Sequence, residues 1–137
     1  MILLDTKVVS ETLKRTPEPT VLRWLEKHDA ELALSTVVIA ELAFGISKIR
    51  PDERAQRLAD GLEAWRSRFA GRIFAFTEEA ALSYGELMGE AARSGRPMSA
   101  PNGMIAAIAR VHSAPLATRN AADFRATGVL LVDPWRG

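Results

Sequence analysis

The chain has 137 residues, 47% hydrophobic and 26% charged, with 18 Lys plus Arg against 17 Asp plus Glu. That is the composition of one globular domain with a real core, and it excludes both a disordered chain and one drawn to nucleic acid by its net charge. Cysteine is absent, which excludes disulfides and thiolate metal sites and fits the cytoplasm, while no apolar run approaches the roughly 20 residues of a membrane span.

The first element is the apolar run from Met1 to Leu4, which leads into Asp5 and Thr6. It lacks a basic start and does not read as a signal peptide. A short continuous apolar run predicts a strand buried on both faces, as at the centre of a parallel sheet. Ligands of such sheets bind beyond the carboxyl ends of the strands. Asp5 is therefore either a site residue or the cap of the helix that follows. Val8 to Lys14 predicts a short helix, and Thr16-Pro17-Glu18-Pro19 a turn. A helix from about Pro19 to His28 carries Val21, Leu22 and Leu25 on one face, and a second strand spans Glu31 to Leu34. Ser35 or Thr36 can cap the apolar helix from Val37 to about Ile49.

Arg50-Pro51-Asp52 marks a break. A long helix is predicted from about Asp52 to Phe69, with Leu58, Leu62, Trp65 and Phe69 at helical spacing. Gly71 ends it, and Ile73 to Phe76 is a third strand. Thr77 caps the next helix, whose buried stripe is Ala80, Tyr84, Leu87, Met88 and Ala91. A basic loop follows, Arg93-Ser94-Gly95-Arg96-Pro97. Ser99-Ala100-Pro101 opens a helix that is apolar all round from Met104 to Ala109 and should be buried. Pro115 to Thr118 is a fourth strand, Asn120 to Phe124 a helical turn, and Val129 to Val132 a fifth strand. Alternating elements of this kind predict an α/β fold, a parallel sheet with helices on both faces, as a single domain over residues 1–137.

Glu41 is the only charge between Thr36 and Ile46. A helix so apolar should be mostly buried. A lone carboxylate there costs several kcal/mol, of order a buried unpaired ion, unless cations or strong donors meet it. The alternative is that Glu41 lies on the one exposed stripe. Asn102 sits in the first turn of the predicted buried helix, where Asn is also common for capping reasons. Asp123 follows Asn120 by three residues, the spacing of a capping box, so it is either a cap or a site residue. Arg119 could face a phosphate or solvent. Arg93 and Arg96, with Lys48 and Arg50, form either an RNA path or a solvated face. His28 and His112 read as helix-end residues, where a cation suits the dipole. Trp24, Trp65 and Trp135 read as core or interface, and no glycine-rich phosphate loop is present.

In a parallel sheet, Asp5, Glu41, Asn102 and Asp123 fall on one edge. Oxygen ligands without His or Cys select Mg²⁺ or Mn²⁺. Such ions activate water and steady an in-line phosphoryl displacement. A phosphotransfer role for Asp5 is disfavoured, since Asp5-Thr6-Lys7 lacks the second acid two residues on that such a phosphatase would show.

Six stretches in this order carry a family resemblance. They are Ile2-Leu3-Leu4-Asp5-Thr6 with Val8-Val9-Ser10-Glu11; Ser35-Thr36-Val37 leading to Ala40-Glu41-Leu42; Pro97-Met98-Ser99-Ala100-Pro101 before Gly103-Met104-Ile105; Ala117-Thr118-Arg119-Asn120; Asp123-Phe124; and Asp133-Pro134-Trp135. Together they resemble the PIN-domain toxins, and more narrowly the VapC ribonucleases and FitB. The resemblance implies an α/β/α sandwich and a Mg²⁺- or Mn²⁺-dependent endoribonuclease that cuts tRNA or rRNA. It also implies a homodimer, inhibited by a cognate VapB-type antitoxin, with operator DNA bound only through the antitoxin. Matched position by position, Asp5, Glu41, Asn102 and Asp123 would be the catalytic set. Asp5, Asn102 and Asp123 would hold the metal, Thr6 and Asn120 would support, and Arg93, Arg96 and Arg119 would meet RNA. Two positions depart from the family pattern: Asn102 stands where it has Asp, and Lys7 where it has Asn. Asn102 can still offer a carbonyl oxygen, but it cannot act as a base. Impaired cleavage is the resulting expectation. The rival is a non-catalytic module that holds an antitoxin and supports repression.

Overall fold

The computed structural model describes residues 1–137. Five strands form one sheet: β1 (Ile2–Leu4), β2 (Leu32–Ser35), β3 (Ile73–Phe74), β4 (Leu116–Ala117) and β5 (Leu131–Val132). Their order is β3-β2-β1-β4-β5. Every pairing is parallel. Seven helices flank the sheet: α1 (Thr6–Thr12), α2 (Pro19–His28), α3 (Thr36–Lys48), α4 (Arg54–Arg68), α5 (Glu78–Arg93), α6 (Ala100–Val111) and α7 (Ala121–Phe124). This is the expected three-layer α/β/α sandwich.

The opening run is the centre of the sheet. Leu3 and Leu4 are buried on either side of β1 and belong to a core of 22 residues. Parallel strands have helices on both faces, so such a strand has no wet side to mark with a polar residue. The all-apolar body of α6 is buried as expected, from Ile105 to Ala109. Its packing on α5 is close. A methyl group on Gly103 would lie 2.5 Å from the Met88 sulfur and 3.0 Å from the Tyr84 ring. Gly103→Ala is therefore expected to cost about 1–3 kcal/mol through overpacking, read as a lower urea midpoint with an unchanged m-value.

Several boundaries differ from expectation, each for a local reason. α1 starts at Thr6 rather than Val8, because the Asp5 side chain accepts from the Thr6 N–H and caps it. A 3-10 turn at Asp29–Glu31 takes the first residue expected for β2. β3, β4 and β5 keep only two paired residues each, since the ladder ends where the chain leaves for the next helix. α3 corrects the expectation of a mostly buried helix. Val37, Val38 and Ile46 are buried, but Ala40, Ala43 and Phe44 are exposed, Phe44 by 67%. Apolar residues all round a helix do not say which of its faces the sheet covers.

Both histidines close helices. His28 lies 2.9 Å from Glu31 and against Trp24, and His112, just past α6, packs on Phe74. Trp24 is core, and Trp65 donates from its indole to the Thr12 hydroxyl.

Candidate active site

The register of β1 on β4 builds the centre of the site. Leu4 pairs with Ala117, so Asp5 and Thr118 are the next residues out from the carboxyl ends of two neighbouring strands. The Asp5 N–H donates to the Ala117 carbonyl at 2.9 Å. Its carboxylate is 2% exposed. One oxygen accepts from the Thr6 N–H at 2.8 Å and the other from the Thr118 hydroxyl at 2.7 Å. Thr118 in turn accepts from the Asn120 N–H at 3.0 Å. Asp5 is thus a helix cap and a strand-end carboxylate at once, and the two sequence readings were not exclusive.

Burial pushes the Asp5 carboxyl above its ordinary range. The Thr118 hydroxyl and Thr6 N–H pull it back, the Glu41 charge pushes it further up, and the Lys7 charge pulls it down. Lys7 itself is exposed on α1. Thr118 is the residue that sequence reasoning missed as a partner of Asp5. Its only signal was its place at the end of a strand whose neighbour was unknown. Thr118→Val would leave an Asp5 oxygen and the Asn120 N–H without their shared partner. The expected loss is about 1–3 kcal/mol, measured by chemical denaturation at neutral pH.

Glu41 is half-buried on α3. Ser35 caps that helix by accepting from the Val38 N–H at 3.2 Å. The Thr6 hydroxyl donates to Glu41 at 2.5 Å. Asp5, Thr6 and Glu41 therefore form one unit, with the Thr6 backbone held by one acid and its hydroxyl by the other. The donor that answers the lone acid of α3 comes from α1.

Asn102 and Asp123 meet across a groove of about 390 Å³, with Arg96 and Arg125 among its walls. Ser99 caps α6 and holds the Asn102 N–H at 3.3 Å. Asp123 is exposed on α7 and makes no capping contact, and the Asn120 side chain caps nothing. The capping-box reading is thereby corrected, because Asn120 uses its N–H on Thr118 and its carbonyl on the Asp123 N–H. Of the predicted basic residues, Arg96 lines the groove. Arg119 instead lies over the Trp135 ring at 5.0 Å, and Lys48 over Phe44 at 5.7 Å. Arg93 is exposed on the last turn of α5, and Arg50 lines a separate hollow between α3 and α4.

No three acidic, His or Cys side chains gather closely enough to enclose a metal ion. The donors that do meet are two carboxylates and a hydroxyl, all oxygen. Mg²⁺ commonly takes one or two carboxylates and fills the rest of its shell with water and substrate phosphate. The buried Asp5, next to a second acid and raised by burial, is an anionic pair that a divalent cation would relieve. The residues fit such an ion, held weakly.

The PIN domain model matches residues 2–130 of this chain. The chain belongs to the PIN-domain family. Within it, the similarity is to the VapC and FitB type. The chain is 37% identical to the VapC ribonuclease Y4jK of Sinorhizobium fredii, covering 98% of each protein. It is 37% identical to Toxin FitB of Neisseria gonorrhoeae, covering 98% of this chain and 99% of FitB. The solved complex of FitAB with an IR36 DNA fragment superposes with a TM-score of 0.89 at 35% identity, covering 98% of this chain and 96% of that one. In this PIN domain, then, the strand-end acid that the fold places at its centre is Asp5.

Proposed function

We propose that this chain is the ribonuclease toxin of a type II toxin–antitoxin pair, with a site centred on Asp5 and Glu41. The observation that carries this reading is the buried Asp5 carboxylate, joined to Glu41 through Thr6 at the carboxyl end of the central strand. A VapC/FitB-type PIN domain explains why a desolvated acid is kept there beside a second one.

In this reading Asp5 and Glu41 would hold Mg²⁺ or Mn²⁺, and Asn102 and Asp123 would contribute from the groove they line. Such a cation, when bound, lowers the pKa of a water and neutralises phosphate charge. Thr6 fixes the spacing of the two first acids, and Asn120 fixes Thr118 on the far side of Asp5. Asp123 is the one acid lining the groove and in this reading would orient water or RNA. Asn102 supplies a carbonyl oxygen and no negative charge, so the site carries three acids where the family pattern has four. Weak metal binding and slow cleavage follow. FitB is named a toxin and is solved with FitA on DNA. By that analogy the partners here are a cognate antitoxin, a second copy of the chain, and operator DNA through the antitoxin. RNA in the cytoplasm, tRNA or rRNA, is the substrate in this reading.

Asn102 is also the observation that favours a second reading, a PIN fold kept only to bind its antitoxin. Incubating the purified chain with total tRNA and rRNA in Mn²⁺ separates the two. Mapping of new 5′ ends is expected to find discrete cuts that EDTA abolishes. Intact RNA from both this chain and Asn102→Asp would leave the binding module as the answer.

A further inference from the structure

The groove that holds Asn102 and Asp123 has a second hollow beside it. This one, of about 220 Å³, is lined by Leu87, Ala91 and Met98 together with Glu90, Ser94 and Thr127. Arg96, Met98 and Ala126 line both hollows. The two differ in chemistry. The first has two guanidinium groups, Arg96 and Arg125, that form no ion pair or hydrogen bond with the protein. The second has an apolar wall and one carboxylate, Glu90, that is likewise unpaired. Its two hydroxyls are already committed as donors, Ser94 to the Ala91 carbonyl and Thr127 to the Phe124 carbonyl. What the second hollow offers a ligand is therefore hydrogen-bond acceptors over an apolar surface.

We infer that the paired hollows form a one-nucleotide subsite for the RNA strand beside the cleaved bond. The phosphate lies between Arg96 and Arg125, and the base enters the Leu87–Ala91–Met98 hollow with Glu90 against its edge. This rests on the ribonuclease reading and adds to it a sequence preference. Single-stranded RNA is read by splaying a base out of the strand and hydrogen-bonding its edge. An apolar wall takes the face of any base, whereas a carboxylate accepts only from bases that present N–H donors. A guanine edge gives two adjacent donor groups, an adenine or cytosine edge one amino group, and uracil a single N–H between oxygen acceptors. The subsite therefore selects guanine over the other three bases. Phosphate and base contacts divide the work: Arg125 binds without regard to sequence, and Glu90 chooses.

The experiment uses the full chain and a fluorescent pool of randomised ten-nucleotide RNAs, in EDTA so that nothing is cut. Anisotropy gives the affinity, and sequencing of the bound fraction gives the preference. Arg125→Ala is expected to weaken binding of the whole pool about tenfold and to reduce the salt slope by about 1, as for one lost phosphate contact. Glu90→Gln is expected to leave pool affinity within about twofold and to erase the guanine enrichment at one position, since an amide no longer requires donors. Both side chains are exposed, and unchanged melting of each variant verifies the fold. If RNA binds but Arg125→Ala and Glu90→Gln behave as the parent, the subsite is wrong and the ribonuclease reading stands. If the parent chain binds no RNA at all, the subsite falls, and Mn²⁺-dependent cleavage alone decides the ribonuclease reading.

Discussion

Asn102→Asp is expected to raise Mn²⁺-dependent RNA cleavage by about 10²-fold or more, the usual size of a general-base contribution. The substitution restores a fourth acid without changing shape, because Asn and Asp differ only at one terminal atom. It acts in two ways. A carboxylate in the first turn of α6 adds negative charge toward a divalent cation, and it lies where the helix dipole tolerates it. It also restores a group able to take a proton from water. Titration of Mn²⁺ against cleavage rate distinguishes the two. A lower half-saturation concentration with little change in maximal rate would assign the whole effect to metal affinity. A higher maximal rate would assign it to chemistry. No gain in either would mean that Asn102 stands outside the reacting centre.

Asp5→Asn is expected to do the reverse to activity and to change how stability depends on pH. Cleavage, measured in the Asn102→Asp background, should fall at least about 10³-fold, since the acid at the centre of the site is gone. Stability is decided by a comparison. Burial raises the Asp5 carboxyl, so its charge opposes folding in the absence of a cation. The amide loses that cost but orphans the Thr118 hydroxyl proton, a penalty of about 1–3 kcal/mol. The two effects oppose each other at pH 8, and only the first depends on pH. The sign of the pH dependence checks this. The Asp5 carboxyl is raised in the folded protein, so its favourable neutral form is fully present below the unfolded carboxylate range and is lost as pH rises through the folded value. The stability of Asp5→Asn relative to the parent should therefore fall as pH drops from 8 to 3. A difference in melting between variant and parent that stays the same across that range would refute the account.

Much of this fold was legible because its elements are punctuated. Ser35, Thr77 and Ser99 each cap the helix that their position announced. The apolar start became the central strand, and the apolar body of α6 became core. Strand ends were less legible, because pairing and not composition decides how far a ladder runs. Side-chain partners across the sheet were least legible of all. Glu41 demanded a donor, but nothing in α3 said that it was the Thr6 hydroxyl. Thr118 gave no sign of Asp5, because the strand order that makes them neighbours is a property of the whole sheet. Asp123 shows the opposite failure: its local spacing suggested a cap, and the structure leaves it free to face the groove. Arg125 and Glu90 were invisible as partners of a common site for the same reason as Thr118, since they sit on separate elements.

The hydrogen bond between Thr118 and Asp5 spans 113 positions of sequence. A ribosome adds residues from the N-terminus at about 5–20 per second. Asp5 and Glu41 emerge early, but β4, which closes one side of β1, is made almost at the end. The Asp5 carboxylate therefore has no Thr118 to hold it during most of translation, and α6 and α7 with Asn102 and Asp123 are late as well. The surroundings of Asp5 are therefore assembled only when nearly the whole chain has been made. A chain that stops before β4 has Asp5 and Glu41 but lacks the strand that joins the first of them to Thr118.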